Sequence, residues 1–269
     1  MSIKLGIIGG GVMGEALLSR LIAKDVFAPG EILVGEPHPE RRNFLSQQYG
    51  VEATAENPLV AARAEILLLA IKPQVFMAVT QNLLQRDGQD SLSLVISILA
   101  GVPLAKLEAA FPGKPVIRAM PNTPATVGEG MTALASGPIV SSEHLAQARQ
   151  IFAAVGEVVE VPEYLMDAVT GLSGSGPGYV AIVIEALTDG GVAAGLPRPI
   201  AAQLALQTVL GTARLIQSSQ LHPAELKDRV TSPGGTTITG IAVLEQAGFR
   251  SALIEAVRAA ADRSRELGG

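Results

Sequence analysis

Between Lys4 and about Val161, short apolar runs alternate with longer stretches of helical periodicity. The runs are rich in branched residues and end at glycine or proline, as buried strands do. The predicted strands are Leu5–Ile8, Ile32–Val34, Ile66–Ile71, Leu94–Leu99, Val116–Ile117 and Glu157–Val161. The predicted helices are Val12–Lys24, Pro39–Tyr49, Val75–Leu84, Leu104–Ala110 and, after a serine cap, Ser142–Val155. This alternation indicates a parallel sheet that is covered by helices on both faces.

The strand pattern stops after Pro162, and the rest of the chain reads as helices. Residues 178–196 carry only two charges, and residues 199–217 carry only one. Between these two stretches, Gly195 followed by Pro197 predicts that one helix stops and another begins.

Helices that are apolar on nearly every face have to be buried on nearly every face. A domain of about a hundred residues hardly hides two such helices by itself, so we expect them to pack against a second subunit. The predicted fold class is therefore α/β. An N-terminal Rossmann-like parallel-sheet domain spans residues 1–161, and an all-α dimerisation domain spans residues 162–269.

Composition narrows the possible partners. Apolar residues make up 48% and charged residues 17% of the 269 residues, which is enough for a sizeable core. A net charge of -5 and a pI near 5.3 argue against nucleic acid. The lack of cysteine excludes disulfides and thiolate chemistry. No apolar run approaches the roughly 20 residues that cross a bilayer, and no signal peptide is seen, so we expect a cytoplasmic protein without a membrane partner.

The first predicted strand ends in a glycine-rich turn that opens the first helix, Gly9-Gly10-Gly11-Val12-Met13-Gly14. In this G-x-G-x-x-G pattern, Gly9 permits a tight turn and Gly11 lets a pyrophosphate approach the backbone. Gly14 lets the helix pack close to the strand, and the helix start at Val12 and Met13 faces the negative charge. Between a strand and a helix, the pattern is strong evidence for dinucleotide binding.

An acidic residue, Glu36, ends the second predicted strand. A carboxylate at this place accepts hydrogen bonds from the adenosine ribose and repels a 2'-phosphate. Arg41 and Arg42 on the following helix either pair with such a phosphate or form a solvated helix face. We therefore expect NADH or NADPH as the cofactor, with NADH usable.

Further strand ends point to the same edge of the sheet, where open parallel sheets bind their ligands. The residues expected to contact the cofactor there are Asn57, Ala70, Lys72, Pro73, Ala100 and Asn122. Lys72 is the best candidate for a phosphate or ribose contact. Asn57 reads first as a helix cap and second as a neighbour of the ribose.

Two clusters of glycine and hydroxyl residues mark the helical half. Residues 171–177 read Gly-Leu-Ser-Gly-Ser-Gly-Pro, and residues 232–237 read Ser-Pro-Gly-Gly-Thr-Thr. Each cluster precedes a predicted helix and offers backbone N–H groups and hydroxyls to an anion such as a carboxylate. One such cluster is most simply a well-capped helix start, but two beside a dinucleotide fold favour a substrate site.

The second cluster and its surroundings, from Asp228 to Ile238 and on to Glu245, closely resemble pyrroline-5-carboxylate reductases. Residues 116–124, 169–177 and 189–192 resemble the same family, so the resemblance covers the chain in order. It implies reduction of L-1-pyrroline-5-carboxylate to L-proline by hydride transfer from NADPH or NADH, in proline biosynthesis. It also implies an obligate dimer with interlocked helical domains, often built into a decamer.

The resemblance implies that residues 232–237 hold the substrate carboxylate and that Thr237, the candidate catalytic residue, lies close to the ring nitrogen. The expected substrate-binding residues are Ser175, Ser232, Gly234, Gly235, Thr236 and Thr237. Two departures from the family pattern are informative. Gly178 stands where alanine is usual, which loosens the helix start. Glu36 stands where many relatives carry serine or threonine, which puts the common NADPH preference in doubt.

The residues also suit an imine substrate. Hydride transfer to a carbonyl needs an acid for the developing alkoxide, whereas a protonated imine arrives with its positive charge. Between Gly171 and Pro197 the helical half has no histidine or lysine, and His222 reads as a cap or surface residue. A site that works by positioning the reactants fits this composition.

Three other interpretations stay open on the sequence alone. A 3-hydroxyacid dehydrogenase of similar architecture would need a catalytic lysine early in the long helix, and residues 177–196 contain none. A dinucleotide-binding protein without activity would bind cofactor but turn over no imine. A metal site on Glu185 and Asp189 is the weakest interpretation, because no histidine or cysteine lies nearby and we expect no metal.

Overall fold

The structure, a computed structural model, describes residues 2–84 and 92–268. Its contacts divide the chain into two compact units. The first unit comprises Met1–Ser175 together with Ala259–Gly269, and the second comprises Gly176–Arg258. The predicted boundary between residues 161 and 162 follows the end of the last strand, and as a boundary between domains it stays a prediction.

The first unit contains one eight-stranded sheet. Its strands are β1 (Ile3–Ile8), β2 (Ile32–Gly35), β3 (Glu52–Thr54), β4 (Ala64–Leu69), β5 (Leu94–Ser97), β6 (Val116–Met120), β7 (Gly130–Ser136) and β8 (Gly156–Glu160). Their order is β3-β2-β1-β4-β5-β6-β7-β8, and all neighbours are parallel except β6 and β7. The first six strands have the order of a Rossmann fold, which confirms the predicted fold class.

Two of these strands, β3 and β7, have no clear pattern in the sequence. β3 has three residues at the edge of the sheet, and none of them is fully buried. β7 reads Gly-Met-Thr-Ala-Leu-Ala-Ser and has a single β-branched residue, so its propensity for a strand is low. Because β7 runs antiparallel to β6, the wholly parallel sheet predicted from the alternation is corrected to a mostly parallel one. The connection is a short turn at Thr123–Val127 rather than a crossover helix, and short connections join antiparallel strands.

Helices cover both faces of the sheet. Those of the first unit are α1 (Val12–Ala23), α2 (Pro39–Tyr49), α3 (Asn57–Arg63), α4 (Phe76–Leu84), α5 (Leu104–Ala110), α6 (Ser142–Ala153) and α7 (Met166–Val169). Leu5 and Ile7 of β1 pack with α1 residues such as Leu17 in one core. Ile8 of β1 packs with Val60 of α3 in the other core. Ile7 and Ile8 thus enter different cores, which is why β1 is continuously apolar from Leu5 to Ile8.

The second unit consists of α8 (Gly176–Ala193), α9 (Arg198–Ser219), α10 (Pro223–Arg229), α11 (Thr236–Gln246) and the first half of α12 (Phe249–Gly268). α8 and α9 are the helices predicted to be apolar on nearly every face. In the described chain, only Thr188 of α8 and Ala201 and Ala205 of α9 are buried. Ile182 and Leu204 are 65% and 52% exposed. The predicted apolar surface is therefore present, and a single chain leaves it uncovered.

Within the described ranges, no helix combines the length and the apolar character that crossing a membrane requires.

Candidate functional site

The carboxyl ends of the central strands meet at one edge of the sheet. The Gly9 amide donates to the Gly35 carbonyl at 2.8 Å, and the Ala70 amide donates to the Ile8 carbonyl at 2.8 Å. The chain runs from β1 to β2 on one side, whereas β4 lies on the other side of β1. This is the switch point at which open α/β sheets bind ligands. The structure thus brings two predicted cofactor residues, Gly9 and Ala70, together at that point.

The three glycines of the loop are required for different reasons. Gly9 has a φ of +109°, and a Cβ there would lie 2.5 Å from the Ala70 carbonyl oxygen. A Cβ on Gly14 would lie 2.0 Å from the Gly9 carbonyl oxygen, so α1 packs on the turn only without a side chain. A Cβ on Gly11 would meet no described atom within 4 Å. The packing of the chain therefore explains Gly9 and Gly14, whereas Gly11 leaves room for something outside the chain.

Gly11 also precedes α1 as a cap without a side chain. The amides of the first turn, at Val12 and Met13, therefore have no capping group, and Val12 is 73% exposed. Uncapped amides at the positive end of a helix dipole attract an anion. The start of α1 has the donors that a pyrophosphate requires.

We expect Gly11→Ala to weaken NAD(P)H binding about tenfold with little change in stability, because the methyl group has room in the protein but blocks the approach of a pyrophosphate. Gly14→Ala is the matched contrast, and should destabilise the fold by about 1–3 kcal/mol through overlap with a backbone carbonyl. Calorimetric titration and thermal unfolding of both variants measure the two effects. Unchanged affinity in Gly11→Ala would place the pyrophosphate elsewhere.

Glu36 ends the second strand with its side chain 6% exposed. Its carboxylate accepts hydrogen bonds from two backbone amides, Gly10 through Oε2 and His38 through Oε1, each at 3.0 Å. Each oxygen keeps a second lone pair, so the carboxylate can still accept from ribose hydroxyls. Glu36 therefore holds the glycine loop and also brings a negative charge to the end of β2.

Arg41 and Arg42 are held by the protein, which corrects the alternative of a solvated helix face. Nε of Arg41 donates to the Gly10 carbonyl at 2.7 Å, and its Nη2 pairs with Glu15 of α1. Nη1 of Arg42 donates to the two carbonyls of the Glu36–Pro37 turn at 2.9 Å and 2.7 Å. Both guanidinium groups are thus tied to the backbone around the end of β2.

Glu15 and Tyr49 are candidates that the sequence analysis missed. Tyr49 Oη donates to Glu15 Oε1 at 2.7 Å, across 34 positions of the chain. Burial opposes ionisation of Glu15, but its hydrogen bonds to Tyr49 and Arg41 outweigh this and lower its pKa. Burial, together with the hydrogen bond to Glu15, raises the pKa of Tyr49 to about 12. The only signal in the sequence is an acidic residue in the first turn of α1.

The strands predicted over 66–71 and 94–99 end earlier, at Leu69 and Ser97. Three predicted cofactor residues therefore follow the strand ends: Lys72 and Pro73 come after β4, and Ala100 comes after β5. Lys72 is exposed and precedes a short 3-10 turn that begins at Pro73. No carboxylate among the described residues pairs with Lys72. Its ammonium group is therefore available to a ligand at this end of the sheet.

Asn57 lies inside α3, because Glu56 occupies the cap position, so the cap predicted at Asn57 is wrong by one residue. The Asn57 Oδ1 atom is buried and has no hydrogen-bond donor in the described part of the chain. It lies close to β2, 2.5 Å from where a Cβ on Gly35 would be. A buried acceptor without a donor is costly, and a ribose hydroxyl would satisfy it.

Asn122, predicted to contact the cofactor, has partners within the first unit. Its Oδ1 accepts from the Met131 amide at 2.9 Å, and its Nδ2 donates to the Ser173 carbonyl at 3.1 Å. The side chain thereby joins the end of β6 to the first glycine and serine cluster. One amide hydrogen remains for a ligand.

The first cluster is not the free helix start that the sequence predicted. Thr170–Gly174 form a π-helical turn between α7 and α8, and the Ser175 amide donates to the Thr170 carbonyl at 2.9 Å. Backbone amides of this cluster, such as that of Ser175, therefore donate within the helical turn, although the sequence predicted that they would be free to bind an anion. π turns are frequent at functional sites. The Ser175 hydroxyl makes no hydrogen bond within the described chain, and its assignment to the substrate stays a prediction.

The second cluster is a free helix start, as the sequence predicted. The Gly235 amide donates to the Ser232 carbonyl at 3.0 Å and closes a β-turn in which Gly234 has a φ of +67°. Gly235 precedes α11 as a cap without a side chain. Thr236 and Thr237 open α11 and are exposed. The loop thus presents uncapped amides and two hydroxyls, which are the donors that a carboxylate needs.

His222 and Asp189, which the sequence analysis considered, both have structural partners in the second unit. His222 Nδ1 accepts from the Ala224 amide at 3.2 Å, which confirms His222 as a helix cap. Asp189 forms an ion pair with Arg198 at 2.8 Å. The described residues hold no group of three or more side chains suited to a metal ion.

Family models match both parts of the chain. Residues 163–267 match the model described as pyrroline-5-carboxylate reductase dimerisation. Residues 4–101 match the model described as NADP oxidoreductase, coenzyme F420-dependent.

Individual proteins are similar over the full length. The pyrroline-5-carboxylate reductase of Synechocystis sp. is 63% identical over 268 residues, which are 100% of this chain and 99% of that protein. The Escherichia coli enzyme of the same name is 41% identical over 99% of each chain. A solved pyrroline-5-carboxylate reductase from Coxiella burnetii has a TM-score of 0.91 and 34% identity over 100% of both chains. Plasmodium falciparum pyrroline carboxylate reductase with NADP bound has a TM-score of 0.89 and 32% identity over 99% of this chain and 98% of that one.

Proposed function

The chain belongs to the pyrroline-5-carboxylate reductase family, and we propose that it reduces L-1-pyrroline-5-carboxylate to L-proline by hydride transfer from NAD(P)H. The observation that carries the proposal is the 63% identity to such a reductase over 100% of this chain. A likeness of this extent spans both the dinucleotide-binding edge of the sheet and the helical unit.

Several features of the first unit fit a dinucleotide. The uncapped start of α1 and the open space at Gly11 suit a pyrophosphate. The unsatisfied Asn57 Oδ1 and the free lone pairs of Glu36 suit ribose hydroxyls. We assign the dinucleotide to these groups together with Ala70, Lys72, Pro73, Ala100 and Asn122. When bound, the reduced nicotinamide supplies the hydride.

The loop before α11 and the first turn of that helix form the proposed substrate site. We assign the substrate carboxylate to the backbone amides and hydroxyls of residues 232–237, because these donors are uncapped and exposed. The Thr237 hydroxyl is assigned to the ring nitrogen, where it accepts from the protonated imine. No general acid is needed, since the imine already carries its proton and becomes a neutral amine. Rate enhancement then comes mainly from holding the reacting carbons in line.

Steady-state assays test this function. The purified protein is expected to oxidise NADH and NADPH in the presence of pyrroline-5-carboxylate and to form proline in equal amount. Cofactor binding by calorimetry without turnover of any imine would favour the non-enzymatic alternative. Turnover of a 3-hydroxyacid in place of the imine would favour the dehydrogenase alternative.

The helical unit belongs to a homo-oligomer, since its sequence matches a dimerisation family model and its helices expose apolar side chains. We propose an obligate dimer, with a decamer as the larger assembly. The imino acid and the cofactor are its small-molecule partners. The cytoplasmic location expected from the sequence stays a prediction.

Light scattering at micromolar concentration should give at least twice the 27.7 kDa of one chain. Ile182→Glu, which places a charge on an α8 side chain that is 65% exposed, should dissociate the assembly, because a buried unpaired charge is costly. Ile139→Glu is the matched control, since Ile139 is 54% exposed but lies in the first unit. A folded, active monomer of the unmodified chain would contradict the prediction.

A further inference from the structure

The side chain of Arg41 is fixed by three contacts around its guanidinium group. Nη2 pairs with Glu15, and Nε donates to the Gly10 carbonyl at 2.7 Å. The guanidinium carbon lies 5.0 Å from the centre of the Phe44 ring. Glu15 is held in turn by the Tyr49 hydroxyl at 2.7 Å. The charge of Arg41 is therefore neutralised by a carboxylate that is itself restrained.

Two charged side chains meet at Gly10. Glu36 Oε2 accepts from the Gly10 amide at 3.0 Å, and Arg41 donates to the carbonyl of the same residue. With Glu15 included, these three ionised side chains carry two negative charges and one positive charge. A 2'-phosphate at the end of β2 would thus meet Glu36 while the charge of Arg41 is already compensated.

Building on the proposed function, we infer that Glu15 is a positioning residue that sets the choice between NADH and NADPH by holding Arg41. In the unmodified chain, Arg41 is engaged by Glu15 and by the glycine loop, so a phosphate near Glu36 gains little from it. Removal of the Glu15 charge leaves Arg41 without a compensating anion, while its Nε still donates to the Gly10 carbonyl. The anionic phosphate of NADPH then gains an attraction that the ribose hydroxyl of NADH does not.

Glu15→Gln is the test, because it removes the charge and keeps the shape and an acceptor for Tyr49. The affinity for NADP⁺ relative to NAD⁺ should rise about fivefold by calorimetry, as expected for one partly solvated charge near a phosphate. In assays with pyrroline-5-carboxylate, the KM for NADPH should fall by a similar factor with kcat little changed. A purely structural role would instead lower both affinities and kcat together.

The ion pair between Arg63 and Glu52 offers a matched control. Nη1 and Nη2 of Arg63 donate to Oε1 and Oε2 of Glu52 at 2.6 Å and 3.0 Å. Glu52 starts β3 and lies opposite Leu33, at the other end of the strands from the glycine loop. Glu52→Gln therefore breaks an Arg–Glu pair of the same kind in the same unit. It should leave the ratio of NADP⁺ to NAD⁺ affinity unchanged.

Arg41→Leu provides the decisive comparison. If Arg41 carries the effect, adding Glu15→Gln to Arg41→Leu should give no further gain for NADP⁺. An unchanged ratio in Glu15→Gln, or a gain that persists without Arg41, would overturn the inference. If Glu15→Gln does not fold, Glu15→Ala removes the same charge from Arg41 and should shift the ratio in the same direction. Failure to reduce the imine with either cofactor would reject the proposed function, whereas the binding ratios would still decide the role of Glu15.

Discussion

Replacement of Thr237 by alanine is expected to lower kcat/KM for pyrroline-5-carboxylate by about 10- to 100-fold, since the loss of a hydrogen bond to a charged group costs about 1.5–3 kcal/mol. The dissociation constant of NAD(P)H should stay nearly unchanged, because Thr237 lies in the first turn of α11 and is not among the groups assigned to the dinucleotide. Steady-state kinetics with both cofactors, together with calorimetry, measure the two quantities.

Two further variants separate a role in binding from a change in the helix. Thr239→Ala removes a hydroxyl from the same helix, but that hydroxyl only donates to the Gly235 carbonyl at 3.0 Å, so kcat/KM should change little. Thr237→Ser keeps a hydroxyl at the proposed position and should restore most of the activity. Equal losses in Thr237→Ala and Thr239→Ala would remove Thr237 from the active site.

The fold was predictable where periodicity and burial agree. From Leu5 to Ile8, β1 is apolar because its side chains enter two different cores. α2 begins and ends at the predicted residues, Pro39 and Tyr49. The predictions failed where neighbours decide the structure. β7 is a strand because β6 and β8 pair with it on both sides, and its alanine-rich sequence does not show this.

The candidate site shows the same division. Gly9 and Gly14 were predictable because the turn and the helix contact are local in sequence. The Glu15–Tyr49 contact joins residues 34 positions apart, so no local pattern indicates it. Ser175 was expected at a free helix start, but the π turn before it depends on an extra residue in the helix, which periodicity does not resolve.

Glu36→Ser is expected to raise kcat/KM for NADPH by about tenfold or more and to weaken NADH binding, where about 1.4 kcal/mol corresponds to a factor of ten. The carboxylate of Glu36 stands at the end of β2, where the adenosine ribose lies in this fold. Repulsion between this carboxylate and the 2'-phosphate of NADPH, in partly solvated surroundings, costs roughly 1–4 kcal/mol of binding free energy. Removal of the carboxylate relieves this repulsion for NADPH and deprives NADH of an acceptor for the ribose hydroxyls. Both cofactors should be measured on both proteins at fixed ionic strength.

The structure adds a complication to this experiment, because Glu36 also accepts from the Gly10 and His38 amides. Serine leaves both amides without an acceptor and loosens the glycine loop, which would weaken both cofactors alike. Glu36→Gln separates the two effects, since its amide oxygen still accepts from one of the amides while the negative charge is gone. If charge decides, both variants should shift the ratio of NADPH to NADH in the same direction. If neither shifts it, Glu36 only shapes the loop, and Arg41, Arg42 or Lys72 must set the preference.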